Sequence, residues 1–125
     1  MTYKALTPML AVADLQRSID FYTRALGFTV KDTFGDPPFW CSLVAGEAKL
    51  MLDQRDPHQL TPRNDPAKSQ YACYLYPEDV HAAHRRVTQA GFRAEAPSTT
   101  HYHMLEFRMQ DPDGHWLWIG QPPTR

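Results

Sequence analysis

One supersecondary signature occurs twice in this chain at a single offset. Asp14-Leu15-Gln16-Arg17-Ser18-Ile19-Asp20-Phe21-Tyr22 runs on to Ala25-Leu26-Gly27-Phe28. Glu78-Asp79-Val80-His81-Ala82-Ala83-His84 runs on to Gln89-Ala90-Gly91-Phe92. Asp14 and Glu78, Gly27 and Gly91, and Phe28 and Phe92 each stand 64 residues apart. An acidic side chain at a helix start accepts from the free N–H groups of the first turn, and glycine at the end tolerates the backbone that stops it. Both signals recurring at one spacing predict a duplicated module, with the binding site of the pair expected between its halves.

The patterning around the helices fills in the modules. Leu6 to Val12 is short and apolar and reads as a strand. The first helix, over 14–26, presents Leu15, Ile19, Tyr22 and Leu26 on one face. Phe28 to Phe34 alternates loosely before the turn Gly35-Asp36-Pro37-Pro38, and Phe39–Val44 and Ala48–Asp53 read as strands joined by Ala45-Gly46-Glu47. Residues 55–68 hold Pro57, Pro62 and Pro66 among few apolar side chains and read as a connection. Gln70–Tyr76 is the next strand, followed by a helix over 78–90 with Val80, Ala83, Val87 and Ala90 inward. A short strand is expected at Phe92–Ala94 and a loop at Pro97-Ser98-Thr99-Thr100. The last strands are His103–Met109 and His115–Ile119 across Asp111-Pro112-Asp113-Gly114, with a frayed tail from Gln121. The expectation is an α+β fold in one domain, two tandem βαβββ modules forming curved mixed sheets around a cleft. Module 1 covers about 5–54, the connection 55–68 and module 2 about 69–120.

Charge and cysteine usage narrow the partners. At 125 residues with a net charge of −1 and no Lys/Arg run, the chain lacks the basic footprint of a nucleic-acid binder. Cys41 and Cys73 lie far apart in apolar stretches without CxxC spacing or a local group to activate them, so both read as small buried hydrophobes in a reduced, cytoplasmic protein. Met1-Thr2-Tyr3-Lys4-Ala5 leads directly into patterned sequence, so no leader is expected. No apolar run approaches the roughly 20 residues of a membrane span.

Val12-Ala13-Asp14-Leu15-Gln16-Arg17-Ser18-Ile19-Asp20-Phe21-Tyr22 with Leu26-Gly27-Phe28 resembles the first-module signature of the vicinal oxygen chelate superfamily, which groups glyoxalase I, bleomycin- and fosfomycin-resistance proteins and extradiol dioxygenases. Glu106-Phe107 followed by Asp111-Pro112-Asp113-Gly114-His115 resembles its second-module signature. The resemblance spans about residues 5 to 120 and implies the glyoxalase/bleomycin-resistance-like fold. It also implies a homodimer, with clefts built at or near the interface by strands of both chains. Enzymes of the family hold a divalent metal through His, Gln or Glu at four strand positions. Here those positions carry Thr7, Met51, Ala72 (or Tyr71 if the register slips) and Trp118. None of the four suits such a cation, so neither metal nor other cofactor is expected. His81 with His84 on a helix, and His101 with His103 on a strand, would be neighbours, but neither pair has a carboxylate at ligand spacing.

Strand alternation then says what lines the implied cleft. Met9 and Ala11 go with Thr7, Lys49 and Asp53 with Met51, Tyr74 and Tyr76 with Ala72, and Trp116 and Gly120 with Trp118. The expected ligand-binding residues are Met9, Met51, Asp53, Tyr74, Tyr76, Glu106, Trp116 and Trp118, with Asp53 and Glu106 as negative contacts at the rim. Aromatic faces stack on flat ligands and attract cations, and methionine adapts to irregular shapes. The resemblance and the lining together imply a metal-free protein that sequesters a planar aromatic or cationic small molecule, as in antibiotic or toxin resistance. Two other readings stand beside it: a metal-dependent lyase, isomerase or dioxygenase with displaced ligands, and an accessory module whose cleft is vestigial.

Overall fold

The computed structural model describes residues 1–60 and 72–123. It contains two compact units, one built from β1–β4 and α1, the other from β5–β8 and α2. In chain order these are β1 (Met9–Val12), α1 (Leu15–Arg24), β2 (Thr29–Gly35), β3 (Pro38–Ala45), β4 (Ala48–Gln54), a 3-10 turn at Pro57–Gln59, β5 (Cys73–Leu75), α2 (Val80–Gln89), β6 (Ser98–Thr99), β7 (Leu105–Gln110) and β8 (Trp116–Gln121). The two sheets have the same topology. The first runs β1-β4-β3-β2 and the second β5-β8-β7-β6, each with one parallel pair, β1 with β4 and β5 with β8, and antiparallel pairs beyond it. The α+β class with two four-stranded mixed sheets is as the sequence leads one to expect. The connection beyond residue 60, the start of the strand at Gln70–Tyr71 and residues 124–125 lie outside the described residues.

Alternation builds each core. In the first unit Leu10 and Val12 of β1, Cys41 and Leu43 of β3, and Leu50 and Leu52 of β4 are buried. Register places Leu10 beside Leu52, Cys41 beside Leu52 and Leu43 beside Leu50. Leu15, Ser18, Phe21 and Tyr22 are the buried residues of α1, with Ile19 half-buried. In the second unit α2 lies on β7 and β8, and Val80, Val87, Phe107, Met109, Leu117 and Ile119 are buried. His84 joins that inner face, its ring edge-on to Phe107 at 5.1 Å. The expected His81–His84 pair is therefore split, since His81 stays exposed.

Each helix begins on an aspartate, Asp14 as read from sequence but Asp79 rather than Glu78 in the second copy, one residue later than the offset of 64 predicts. Asp14 accepts from the Arg17 N–H at 3.1 Å, and Asp79 accepts from the N–H groups of His81 and Ala82 at 2.9 and 3.2 Å. Each helix is followed by a glycine with positive φ, 78° at Gly27 and 91° at Gly91. A second device is also duplicated. The last residue of β4, Gln54, turns its Oε1 to accept from the Leu15 N–H at 2.7 Å, and the last residue of β8, Gln121, accepts from the Val80 N–H at 2.6 Å. Each glutamine fastens the closing strand of its unit to a first-turn N–H that the helix cannot satisfy itself. Gln54→Ala and Gln121→Ala are each expected to cost about 1 kcal/mol. The measurement is a shift of the denaturant midpoint at unchanged slope.

Three boundaries differ from expectation, for identifiable reasons. β1 starts at Met9 rather than Leu6 because Pro8 has no N–H; its carbonyl still accepts from Met51 at 2.9 Å, while Leu6 is exposed. Phe92–Ala94 forms no strand; the fourth strand of the second sheet is instead the two residues Ser98–Thr99, just after Pro97, in the stretch read as loop. His103 is not a strand residue. It sits in the turn before β7 with φ of 68°, so His101 and His103 share no strand face.

Candidate functional site

The second sheet turns one face to α2 and another away from it. Since Phe107, Met109, Leu117 and Ile119 point to the helix, alternation sends Glu106, Arg108 and Gln110 of β7 and Trp116, Trp118 and Gly120 of β8 to the opposite face. They pair there as Glu106 with Gly120, Arg108 with Trp118 and Gln110 with Trp116. Tyr74 of β5 pairs with Trp118 and joins the same face. A cavity of about 480 Å³ opens on it, lined by Ala72, Cys73, Tyr74, Tyr102 and Trp118.

Glu106 is only 7% exposed, and a buried carboxylate needs partners. The two lining tyrosines supply them. The Tyr74 hydroxyl donates to Oε2 at 2.7 Å, and the Tyr102 hydroxyl donates to Oε1. Tyr74 starts on β5 and ends on a β7 carboxylate, so its ring has to cross β8. It crosses at Gly120, where a Cβ would stand 2.0 Å from the Tyr74 hydroxyl oxygen and 2.9 Å from the Glu106 Cβ. Tyr102 arrives from a turn closed by Thr100. The Thr100 N–H donates to the Met104 carbonyl at 2.8 Å, its carbonyl accepts from His103 at 3.0 Å, and its hydroxyl accepts from the Met104 N–H at 3.1 Å.

The carboxylate in turn holds both phenols in their protonated form. Burial first, then the bond to Glu106, pushes Tyr74 well above the ordinary tyrosine range. For Tyr102 the bond to Glu106 is the leading cause of an upward shift. Below about pH 10 both states of the chain hold these protons. As pH climbs above that, the unfolded chain loses them first, so folding stability falls. Alkaline titration of tyrosinate absorbance is expected to show Tyr74 and Tyr102 ionising late, with Glu106→Gln bringing Tyr102 down.

Beside the cavity, Arg108 is pinned. Its Nε and one terminal nitrogen donate to the two Glu95 oxygens, each at 2.8 Å. The guanidinium carbon lies 5.6 Å from the centre of the Trp116 ring and 5.8 Å from that of Trp118. The ion pair with Glu95 is the main reason the Arg108 pKa is raised.

Of the residues read from sequence as ligand-binding, Tyr74, Tyr76, Glu106, Trp116 and Trp118 lie on this one face or at its edge. Tyr76 follows β5, 72% exposed, its ring 4.8 Å from that of Tyr74. Only Tyr74 and Trp118 of the five line the cavity. Met9, Met51 and Asp53 belong to the first sheet, where Met9 and Met51 are partners across β1 and β4. Of the two carboxylates, Glu106 departs from the expected place. Glu106 is buried beyond two phenols rather than at a rim, and Asp53 is matched by Arg55 at 2.7 Å. Cys41 is buried, but Cys73 is half-buried in the cavity wall, where burial and then the Asp111 charge push its thiol up to about 11, far from a reactive thiolate. Sequence reading missed Tyr102 and Arg108. Arg108 carried a legible signal, two residues from Glu106 on the same strand; Tyr102 carried none.

The four family positions do not fit a metal. Thr7 precedes β1, Met51 offers a thioether, and the cavity wall offers the methyl of Ala72 and the indole of Trp118. Among the described residues, no group of three or more His, Cys, Asp or Glu side chains could hold one.

A family model described as Glyoxalase/Bleomycin resistance protein/Dioxygenase superfamily matches residues 5–119. The chain belongs to this superfamily. It is 29% identical over 108 residues to the glutathione transferase FosA of Serratia marcescens, covering 86% of this chain and 73% of that one. Among solved structures, a bleomycin-binding protein complexed with bleomycin superposes with a TM-score of 0.75 at 25% identity, over 97% of this chain and 100% of the other. The bleomycin resistance determinant encoded on transposon Tn5 superposes with a TM-score of 0.77 at 24% identity, over 98% and 100%, a likeness of fold. Among the described residues no helix is long and apolar enough to cross a membrane.

Proposed function

We propose that this superfamily member is a metal-free binding protein that sequesters a planar aromatic or cationic small molecule, in the manner of antibiotic or toxin resistance. The observation that carries this reading is the cavity of about 480 Å³ walled by Tyr74, Tyr102 and Trp118, with the buried Glu106 carboxylate behind the two phenols. Flat rings stack on such walls, and a nearby negative charge favours a cation. The likeness to a bleomycin-binding protein supports binding as the activity. Met9, Met51, Asp53, Tyr76 and Trp116 belong to the proposal as further ligand contacts. So does pairing of two copies, because edge strands β1, β2, β5 and β6 end the two sheets. So too does a cytoplasmic setting, which suits two free cysteines.

The runner-up is a metal-dependent lyase, isomerase or dioxygenase with displaced ligands, favoured by the likeness to a glutathione transferase. One experiment separates the two. Planar aromatic cations are titrated against tryptophan fluorescence before and after treatment with a chelator, alongside metal analysis of the untreated protein. Saturable quenching that a chelator leaves unchanged, with no stoichiometric metal, is the expected result. Stoichiometric Zn, Ni, Mn or Fe, or quenching abolished by the chelator, overturns it.

A further inference from the structure

The direction of two hydrogen bonds sets what the polar end of the cavity can recognise. A tyrosine hydroxyl has one hydrogen to give and two lone pairs to accept with. Tyr74 and Tyr102 both give theirs to Glu106. Each oxygen is left with acceptor capacity alone, part of it on Tyr102 taken by the Thr100 hydroxyl, and both residues line the cavity. Among the other lining side chains of the described residues only Cys73 and Trp118 carry a polar hydrogen, and neither carries a formal charge.

The charges behind the wall point the same way. Among the described residues, Glu95, Glu106 and Arg108 stand behind this end, the Asp111 charge acts on Cys73 of the wall, and the His101 ring lies 4.9 Å from that of Tyr102. Arg108 gives its paired N–H groups to Glu95 and acts on Glu106 only through space. Arg108 is matched by Glu95, which leaves the Glu106 charge on the buried group, and Asp111 adds a charge of the same sign. In a partly water-excluded site that charge is felt far more strongly than in water. The phenols transmit it, since an oxygen whose hydrogen is drawn to a carboxylate is a better acceptor.

We propose that the Tyr74 and Tyr102 oxygens form an acceptor pair that takes an N–H-bearing cation, a primary or secondary ammonium or an amidinium, carried by a flat ligand. The inference rests on the binding reading above for the flat part and adds the chemistry of the head group. A quaternary ammonium keeps the charge attraction but has no hydrogen for the pair. A carboxylate meets two acceptors backed by a like charge.

Three probes with one aromatic core test this: naphthylmethylammonium, its N,N,N-trimethyl counterpart and naphthylacetate, each titrated by tryptophan quenching and by calorimetry. The ammonium is expected to bind about tenfold or more tighter than the trimethylammonium, as charge-assisted hydrogen bonds warrant, and the carboxylate weakest. Equal binding of all three overturns the acceptor pair while leaving the stacking cavity standing. Binding of none overturns both. Trimethylammonium binding as tightly as ammonium also sinks the pair. In Glu106→Gln the carboxamide can donate to one phenol and free its hydrogen, so the ammonium preference should collapse and naphthylacetate should gain. If that variant fails to fold, Tyr102→Phe carries the test, because Tyr102 is 49% exposed on a turn. It should weaken the ammonium several-fold and leave the trimethylammonium unchanged. An equal loss for every probe would make Tyr102 a structural support and overturn the inference.

Discussion

Gly120→Ala is expected to destabilise the protein by about 2–5 kcal/mol and to dismantle the candidate site with it. The reason is steric rather than conformational. A methyl at this position would stand 2.0 Å from the Tyr74 hydroxyl oxygen and 2.9 Å from both the Tyr74 Cζ and the Glu106 Cβ. The Tyr74 ring has no slack, since its hydroxyl is bonded to Glu106 at 2.7 Å. The ring must leave, which adds the loss of a partner for a buried carboxylate to the overpacking itself. Tyr74→Phe in the same chain removes the atom at 2.0 Å but keeps the two contacts at 2.9 Å. The double variant should therefore lose less than the sum of the two single losses, a coupling that thermal or denaturant melts of all four proteins would read. Strict additivity would show that the ring and the glycine do not meet in solution.

Trp118→Ala is expected to weaken binding of a planar aromatic cation by about tenfold or more, because stacking worth about 0.5–1.5 kcal/mol and the buried ring area are lost together. Its effect on stability should fall below the about 3–5 kcal/mol that truncating a core ring costs. The indole is half-buried, lines a cavity and has Arg108 nearby at 5.8 Å, whereas Leu117 and Ile119, its neighbours along β8, fill the core. Quenching titrations and a melting curve on one preparation decide the matter. A variant that keeps its melting temperature and loses ligand supports the cavity. A variant that unfolds makes Trp118 a structural residue and removes the main wall of the site.

What could be read from the chain alone follows the range of the interactions involved. The helix start at Asp14, the acidic start of the second helix to within one residue of Glu78, and the stops at Gly27 and Gly91 are local, as is the alternation that buries Leu50 and Leu52 and turns Met51 outward. All were legible, and with them the duplicated α+β fold. The glutamine fastenings were not, because each spans 39 or 41 residues, and nothing near Gln54 or Gln121 marks them as helix partners. The same limit hid the state of Glu106. Period-2 reasoning put it on the right face but could not show that Tyr74 crosses a glycine to reach it, 32 residues away. Tyr102 was invisible for another reason. Its turn depends on Thr100 and on His103 with φ of 68°, a backbone that histidine seldom adopts and that no periodicity encodes.

The fourth strands of the two sheets are unequal, seven residues in β2 and two in β6. Where the first copy keeps a full edge strand, the second leaves its ladder after Ser98 and Thr99 and gives the chain over to the turn that carries Tyr102. In a lineage, the two copies then face different selection. Residues of β5, β8 and β7 are bound by mutual register, so an insertion there would move every side chain behind it to the wrong face. An insertion or deletion in 100–104 disturbs neither that register nor the helix, yet it resets how far a phenol reaches toward Glu106. Under the binding proposed above, changes of ligand should accumulate in that short turn, and a library varied over 100–104 alone would test it.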